Sequence, residues 1–180
     1  MTIQREEKKA MTPEQHAQKI LSELKIREAP VPVEDIAARL GAKISFEPFE
    51  GKGELSGMLL RDKGQTVIGI NSSHPTVRQR FSIAHEIGHL VMHQGSVYVD
   101  QTVRFNRDSK SSMAIDPEEI QANGFAAELL MPEKLVTASV KRRLTKRPNV
   151  SSGMLIAELA LEFEVSTQAM EYRLTNLGII

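Results

Sequence analysis

The spacing of apolar positions changes along the chain, and each change predicts a new element. Thr12-Pro13-Glu14-Gln15 reads as a helix start: a capping Thr, Pro at the first helical position, and Gln three residues after the Thr. Ile20, Leu21 and Leu24 form the apolar stripe of that helix, and Pro30 and Pro32 punctuate it. Val33–Leu40 reads as a second short helix, which Gly41 stops. Alternation follows. KISFEPF, LSGMLL and QTVIGIN predict three short strands, with turns at Gly51-Lys52-Gly53 and Asp62-Lys63-Gly64. From Pro75 to His93 the pattern is helical and apolar on nearly every side, so this helix is expected to be buried. Residues 94–115 are polar and irregular apart from a candidate strand at SVYVD, and a stretch of that length in a compact domain is usually functional or mobile. Asp116-Pro117-Glu118-Glu119 opens a helix that runs to Leu130 and is ended by Pro132. KRRLTKRPNV reads as a basic connector, and residues 151–180 as two short helices around Glu164-Val165-Ser166, stopped by Gly178.

The expected class is therefore α+β: a small antiparallel sheet packed on the 75–93 helix, followed by a C-terminal segment with helix-turn-helix spacing. The expected divisions are a flexible tail over 1–10, a main domain over 11–137 and a helical segment over 138–180.

Composition narrows the chemistry. The 180 residues are 41% hydrophobic and 26% charged, ordinary for a globular chain with a real core. The formal net charge is +0, so no overall field draws the protein to nucleic acid or membrane. Cysteine is absent, which excludes disulfides and thiolate metal sites; any metal must be held by His, Asp or Glu. MTIQREEKKA lacks the apolar core of a secretory signal, and no apolar run reaches the length of a membrane span. The expected location is the cytoplasm, with no membrane partner.

One stretch carries candidate chemistry. HEIGH at 85–89 is HExxH on a predicted helix. Residues four apart lie about 40° apart around the axis, so His85 and His89 can grip one ion. Glu86, beside the first His, can hold and deprotonate a water that the ion acidifies, then deliver the proton to the leaving amine. The bland alternative is a core helix with satisfied histidines, but a buried His-Glu-His group without partners is costly, and a metal relieves that cost. His93 stands roughly 12 Å from His85 along the axis. It reads as capping or packing the helix end rather than as a ligand.

The third ligand is sought on the 116–130 helix. A helical wheel puts Ala122, Phe125, Ala126, Leu129 and Leu130 on one side and points Glu128 away, to solvent. Glu118 and Glu119 flank the apolar side equally, so the wheel does not choose. Glu119 neighbours Ala122, Asn123, Ala126 and Ala127, and small residues allow the close helix approach that a shared metal requires. Gly88 serves the same end, since a mid-helix Gly otherwise costs about 1 kcal/mol. Glu119 is preferred on this ground. Its rival role is the capping-box glutamate three residues after Asp116.

RQRFSIAHEIGHLVMH followed by EIQANGFAAELLMPE resembles the ImmA/IrrE family of zinc metallopeptidases, as do IAARLGAKI, VIGIN and EVSTQAMEYRLTNLG. The resemblance implies a zincin-like metallopeptidase fold in which His85, His89 and a Glu four residues before an Asn bind zinc. Here those last two are Glu119 and Asn123, with Asn123 supporting the ligands from one turn along. Glu86 matches the catalytic position. The family often shows a second acid where this chain has Gln121, a position that reads as outward-facing. The implied substrate is a helix-turn-helix repressor of the Xre type, cut to relieve repression of a mobile element, prophage or stress regulon. Zinc is the default ion, though two His and a Glu also suit manganese.

Other features stay open at this level. Tyr98, His93 and His74 are candidate donors to substrate or to a transition-state oxyanion. The VIGIN strand is equally well a structural strand or an edge that pairs with substrate backbone. Lys141, Arg142, Arg143, Lys146 and Arg147 form either a solvated face or a contact for nucleic acid or an acidic partner. The second C-terminal helix is expected to expose Gln168, Glu171 and Arg173, a poor DNA-reading face. The competing function is a DNA- or protein-binding regulator with a structural metal, and Glu86 is the residue such a regulator has no need of.

Overall fold

Thr12 caps the first helix as its sequence predicts. The Thr12 hydroxyl accepts from the Gln15 amide at 3.3 Å while the Gln15 side chain accepts from the Thr12 amide at 2.9 Å. The computed structural model describes residues 10–49, 55–101 and 116–180. Residues 1–9 of the expected 1–10 tail, the Gly51-Lys52-Gly53 turn and most of the irregular stretch before Asp116 lie outside them. In chain order the elements are α1 (Pro13–Glu23), α2 (Val33–Arg39), β1 (Ala42–Glu47), β2 (Leu55–Asp62), β3 (Gln65–Asn71), α3 (Thr76–Met92), β4 (Val97–Gln101), α4 (Pro117–Leu130), α5 (Glu133–Lys146), α6 (Ser152–Phe163) and α7 (Thr167–Asn176).

The architecture is mixed α+β, as expected, with a four-stranded sheet in the order β1-β3-β2-β4. β2 pairs antiparallel with β3 and with β4, but β1 and β3 are parallel, so the sheet is mixed rather than wholly antiparallel. The parallel pair arises because the chain crosses from β1 to β2 before returning as β3. The β2–β3 hairpin turns at Lys63 and Gly64, both with positive φ (46° and 81°), the conformation a two-residue hairpin turn requires. Strand alternation sorts the sheet's faces. Leu59, Ile68 and Ile70 are fully buried on the side packed by α3, while Leu60, Val97 and Val99 are exposed on the other.

α3 lies at the centre of the fold, in contact with α1, α2, α4 and three strands. Its C-terminal carbonyls would be orphaned where they meet the sheet. Arg61 of β2 meets them: its guanidinium donates to the carbonyls of His89 (3.1 Å), Leu90 (2.9 Å) and His93 (3.0 Å), and to that of Gly95. A cation at that helix end also complements the helix dipole.

Two expectations fail on the C-terminal side. The basic stretch is no connector, because most of it belongs to α5, which buries Val136, Ser139 and Val140. The two valines give helical spacing, but the charged residues around them obscured it. The expected boundary at 137 falls inside α5, and one apolar cluster runs from Ala17 through Ile83 and Phe125 to Phe163 and Leu174. α6 and α7 therefore share the core of the rest. Ion pairs reinforce that union. Arg80 of α3 pairs with Glu164 at 3.3 Å and donates to the Val31 carbonyl at 2.9 Å.

Glu128 is also corrected. It is 2% exposed, pairs with Arg173, and accepts from Gln18 at 3.0 Å. The wheel placed it opposite the main apolar side, but α1 and α7 cover that back. Arg173, expected on the exposed face of α7, turns inward to Glu128 and to the Met131 carbonyl at 3.0 Å. Removing one partner of such a pair strands a buried charge, which typically costs about 3–5 kcal/mol. Arg173→Met is expected to lose stability on that scale in urea denaturation, and adding Glu128→Leu to recover much of it. A single variant as stable as the native chain would refute the buried-pair account.

Candidate metal centre

His85, Glu86 and His89 all lie in the middle of α3 at 0–1% exposure. The two histidines turn toward α4. His85 Nε2 lies 3.1 Å from Glu119 Oε2, His89 Nε2 lies 3.3 Å from Glu119 Oε1, and the two Nε2 atoms are 3.1 Å apart. Bonds of about 2.0–2.1 Å to a tetrahedral ion separate neighbouring donors by about 3.3–3.4 Å. The triangle is thus close to the right size for one small divalent cation. Three donors leaving a tetrahedral position open is the catalytic rather than the structural pattern.

Glu119 reaches this position because α3 and α4 touch closely. A Cβ on Gly88 would lie 3.1 Å from the Ala122 Cα and 3.2 Å from the Phe125 ring. The small-residue edge that selected Glu119 over Glu118 is this contact. The capping role is not taken up: Asp116 accepts from the Glu118 amide at 2.9 Å, while Glu119 faces the histidines. Glu118 instead offers an oxygen near His89 and His93. Asn123, one turn after Glu119, accepts from His85 Nδ1–H at 3.1 Å. That bond keeps the His85 Nε2 lone pair directed at the triangle.

Glu86 is buried beside the triangle, and neither carboxylate oxygen has a hydrogen-bond partner. Gly57 of β2 makes the room: a Cβ there would stand 2.9 Å from Glu86 Oε1. Sequence reasoning missed Gly57, although a glycine inside a strand is the usual sign of close approach. Burial pushes the Glu86 carboxyl up to about 8, against the opposing pull of His85. In the metal-free protein, hydrogen bonds from the His85 and His89 rings hold Glu119 well below the usual carboxylate range. Burial acts to lower His85, but Glu119, Asp100 and Glu86 outweigh it and the net shift is upward. One acid raised, one lowered and two buried carboxylate oxygens without partners make a donor set whose chemistry suits a cation.

Asp100 is the other residue the sequence reading missed. It offers an oxygen within 4.8 Å of donor atoms on His85 and Glu86, and burial raises its carboxyl. Period-2 alternation in VYVDQ puts Tyr98 and Asp100 on one face, a signal that was present but unused.

The candidate substrate contacts fare differently. Tyr98 stacks on His89 with ring centroids 4.3 Å apart, and its hydroxyl accepts from the Gly95 amide at 2.9 Å. His93 is 8% exposed with both ring nitrogens engaged, one by His89 at 3.0 Å and one by Gln121 at 3.0 Å. Both ring nitrogens are thus taken up within the chain. Gln121 itself is exposed, as read, but its side chain folds onto His93. His74 precedes α3, whose first residue lies nine positions, about 14 Å, before His85. The VIGIN strand is interior, paired on both sides, so it offers no free edge; β4 ends the sheet beside the site.

An HExxH helix whose histidines meet a carboxylate from a neighbouring helix, with a buried glutamate alongside, is the donor arrangement of metal-dependent peptide hydrolases. The chain belongs to the peptidase family described as the IrrE N-terminal-like domain, whose profile matches residues 37–175. It is 27% identical over 126 residues to the metallopeptidase ImmA of Bacillus subtilis, covering 70% of this chain and 66% of that one. It is 33% identical over 116 residues to the radiation response metalloprotease IrrE of Deinococcus radiodurans, covering 64% of this chain and 32% of that one. An uncharacterized immunity region protein of Bacillus phage phi105 is 30% identical over 117 residues, 65% of this chain and 70% of the phage protein. The chain thus spans just under two thirds of the ImmA relative and about a third of IrrE.

Two outcomes are expected. Gly88→Ala gains about 1 kcal/mol of helix propensity, yet forces a methyl against α4 backbone, where overpacking costs about 1–3 kcal/mol. The variant should melt lower and bind metal more weakly; a higher melting temperature with native metal affinity would remove the close-approach argument. In metal-free protein, folded Glu86 keeps a proton up to about 8 that an unfolded carboxyl releases near about 4.3. Stability should therefore fall as pH rises from 5.5 to 7.5, roughly the interior of that window, with His85 acting in the same direction. Glu119, shifted down, loses its contribution only below the usual carboxylate range. Denaturant titrations of Glu86→Gln should show a flatter slope, and an unchanged slope would contradict the assignment.

Proposed function

We propose that this chain is a zinc-dependent endopeptidase whose substrate is a helix-turn-helix repressor of the Xre type, cut in the cytoplasm to derepress a mobile element, prophage or stress regulon. The observation that carries the peptidase reading is Glu86: fully buried, with both oxygens unpartnered, beside the His85–His89–Glu119 triangle. The names of two relatives, a metallopeptidase and a metalloprotease, support it. The immunity-region name of the phage relative supports the link to a prophage. Two imidazoles and one carboxylate favour zinc, with manganese the competing ion. No helix among the described residues is long and apolar enough to cross a membrane.

His85, His89 and Glu119 would hold the ion, and zinc so held supplies Lewis acidity that polarises the scissile carbonyl and acidifies a water. Glu86 then does the proton work. Its carboxylate takes a proton from the water as the oxygen attacks the carbonyl carbon, and returns it to the amide nitrogen as the C–N bond breaks. Burial of Glu86 keeps competing water from its oxygens. Tyr98 packs the His89 ring from the sheet side, and Asn123 fixes His85 from α4. Asp100 adds a negative charge that favours proton pickup by its neighbours.

The regulator reading loses weight on α5. Arg142, Arg143 and Arg147 of the basic run pair with Glu158 and Glu162 of α6 at 2.5–3.2 Å, so much of its charge is already answered within the chain.

Zinc-loaded protein mixed with the repressor encoded nearest its gene is expected to give one discrete cut. Glu86→Gln should bind zinc as the native chain does and lose cleavage by at least about 100-fold, the low end for a general base. Cleavage by Glu86→Gln at the native rate would defeat the mechanism. Native protein that leaves the repressor whole but shifts DNA at low salt, with or without metal, would favour the regulator.

A further inference from the structure

His93 and Gln121 remain outside the machinery just described, yet both are tied to it. His89 Nδ1 lies 3.0 Å from His93 Nδ1, and His93 Nε2 lies 3.0 Å from Gln121 Oε1. Proton positions along this chain follow from one end. With the Gln121 amide oxygen toward the ring, His93 Nε2 carries the proton, since that oxygen only accepts. A neutral His93 then has a bare Nδ1, which accepts. The proton between the two rings therefore belongs to His89 Nδ1. In a neutral His89, the form that binds a metal, that leaves Nε2 with a lone pair, and Nε2 is the atom that faces Glu119 and His85.

We propose that His93 and Gln121 are positioning residues: a hydrogen-bond relay from the surface of α4 that holds His89 in its metal-binding tautomer and ring orientation. The proposal rests on the metal reading of the His85–His89–Glu119 triangle. It assigns His89 the outer partner that Asn123 gives His85 at 3.1 Å. The two supports differ in kind. His85 is held directly by an amide oxygen on α4. His89 points away from α4 at Nδ1, so a second imidazole bridges the gap. His93 is the first residue past α3, with extended backbone (φ −118°, ψ 153°), and its carbonyl accepts from Arg61 at 3.0 Å. The departure from helical geometry lets its ring fold back between His89 and Gln121, and Arg61 anchors it there.

The rival arrangement is a second cation held by His89, His93 and Glu118, whose donor atoms also lie within 4.8 Å of one another. It would require His89 to bridge two ions through both ring nitrogens and would displace the His93 proton chain. The relay requires one ion per chain.

The test is zinc affinity by chelator competition, run on full-length protein with stoichiometry measured alongside. Breaking an outer-shell partner of a ligating histidine typically lowers affinity about 10- to 100-fold. His93→Phe and Gln121→Leu are each expected to fall in that range. Gln121→Glu, which still accepts and cannot donate, should keep native affinity. Gln121 is exposed, so its variants are read even if His93→Phe does not fold. Long-range 15N–1H spectra of the zinc-loaded protein should show His93 protonated at Nε2 alone. Native binding of one zinc with both Gln121→Leu and Gln121→Glu within twofold of it would overturn the relay. So would a His93 proton at Nδ1, or two ions per chain. A native chain that takes up no zinc would overturn the relay and the metal reading together.

Discussion

Three ionisable side chains occupy five consecutive positions of α3 that are closed to solvent, and everything around that helix answers their burial. Left alone, such groups would surrender their charges or unfold the helix, since an isolated buried charge is prohibitive and even a neutral polar group costs about 1–3 kcal/mol. The fold supplies partners from outside the helix. α4 brings Glu119 and Asn123 to the histidines, and β4 brings Tyr98 against His89 and Asp100 near His85. Glu86 alone gets none, and β2 contributes only a glycine that leaves it room. A stable protein tolerates one such group when its task needs an unoccupied base.

The same helix explains why the sheet and the C-terminal helices cannot be treated as separate parts. Arg61 on β2 gathers the carbonyls at one end of α3, while Arg80 near the other end reaches Glu164 and the segment before α2. Both are arginines, whose planar fork serves several acceptors at once where a lysine would offer a point charge. α3 is thereby fixed at both ends as well as along its buried face. The histidines keep their geometry to α4 because the helix that carries them cannot slide.

Much of this was legible in the residues. HExxH placed both histidines on one helix face, and the run of small residues on α4 pointed to Glu119, because close helix approach leaves a compositional mark. Capping at Thr12 and the turn at Lys63-Gly64 were equally readable, being local chemistry. What was not legible is long-range. Nothing local tells that Glu128 and Arg173, forty-five residues apart, meet in the interior. The parallel placement of β1 against β3 depends on a crossover that alternation does not encode. Gln121 read as outward because a wheel reports where the Cα–Cβ bond points, not how far a long side chain returns. Asp100 was legible as to face, through the alternation of its strand, but not as to neighbour, because only the pairing of β4 with β2 brings it to His85 and Glu86.

The basic run shows how a sequence count overstates a field. Read along the chain, its lysines and arginines look like a cationic strip. In the fold, α6 lays Glu158 and Glu162 against all three arginines of the run. The exposed pairs of Arg142 and Arg147 contribute only about 0–1 kcal/mol each, so those pairs themselves are no barrier to a competing phosphate. The carboxylates are: they stay in place when an arginine turns away, and they repel an anion approaching the same surface. Screening over about 8–10 Å in physiological salt removes what attraction more distant lysines add. The strip is better understood as the glue between α5 and α6, which ties the C-terminal helices into the core that α3 organises.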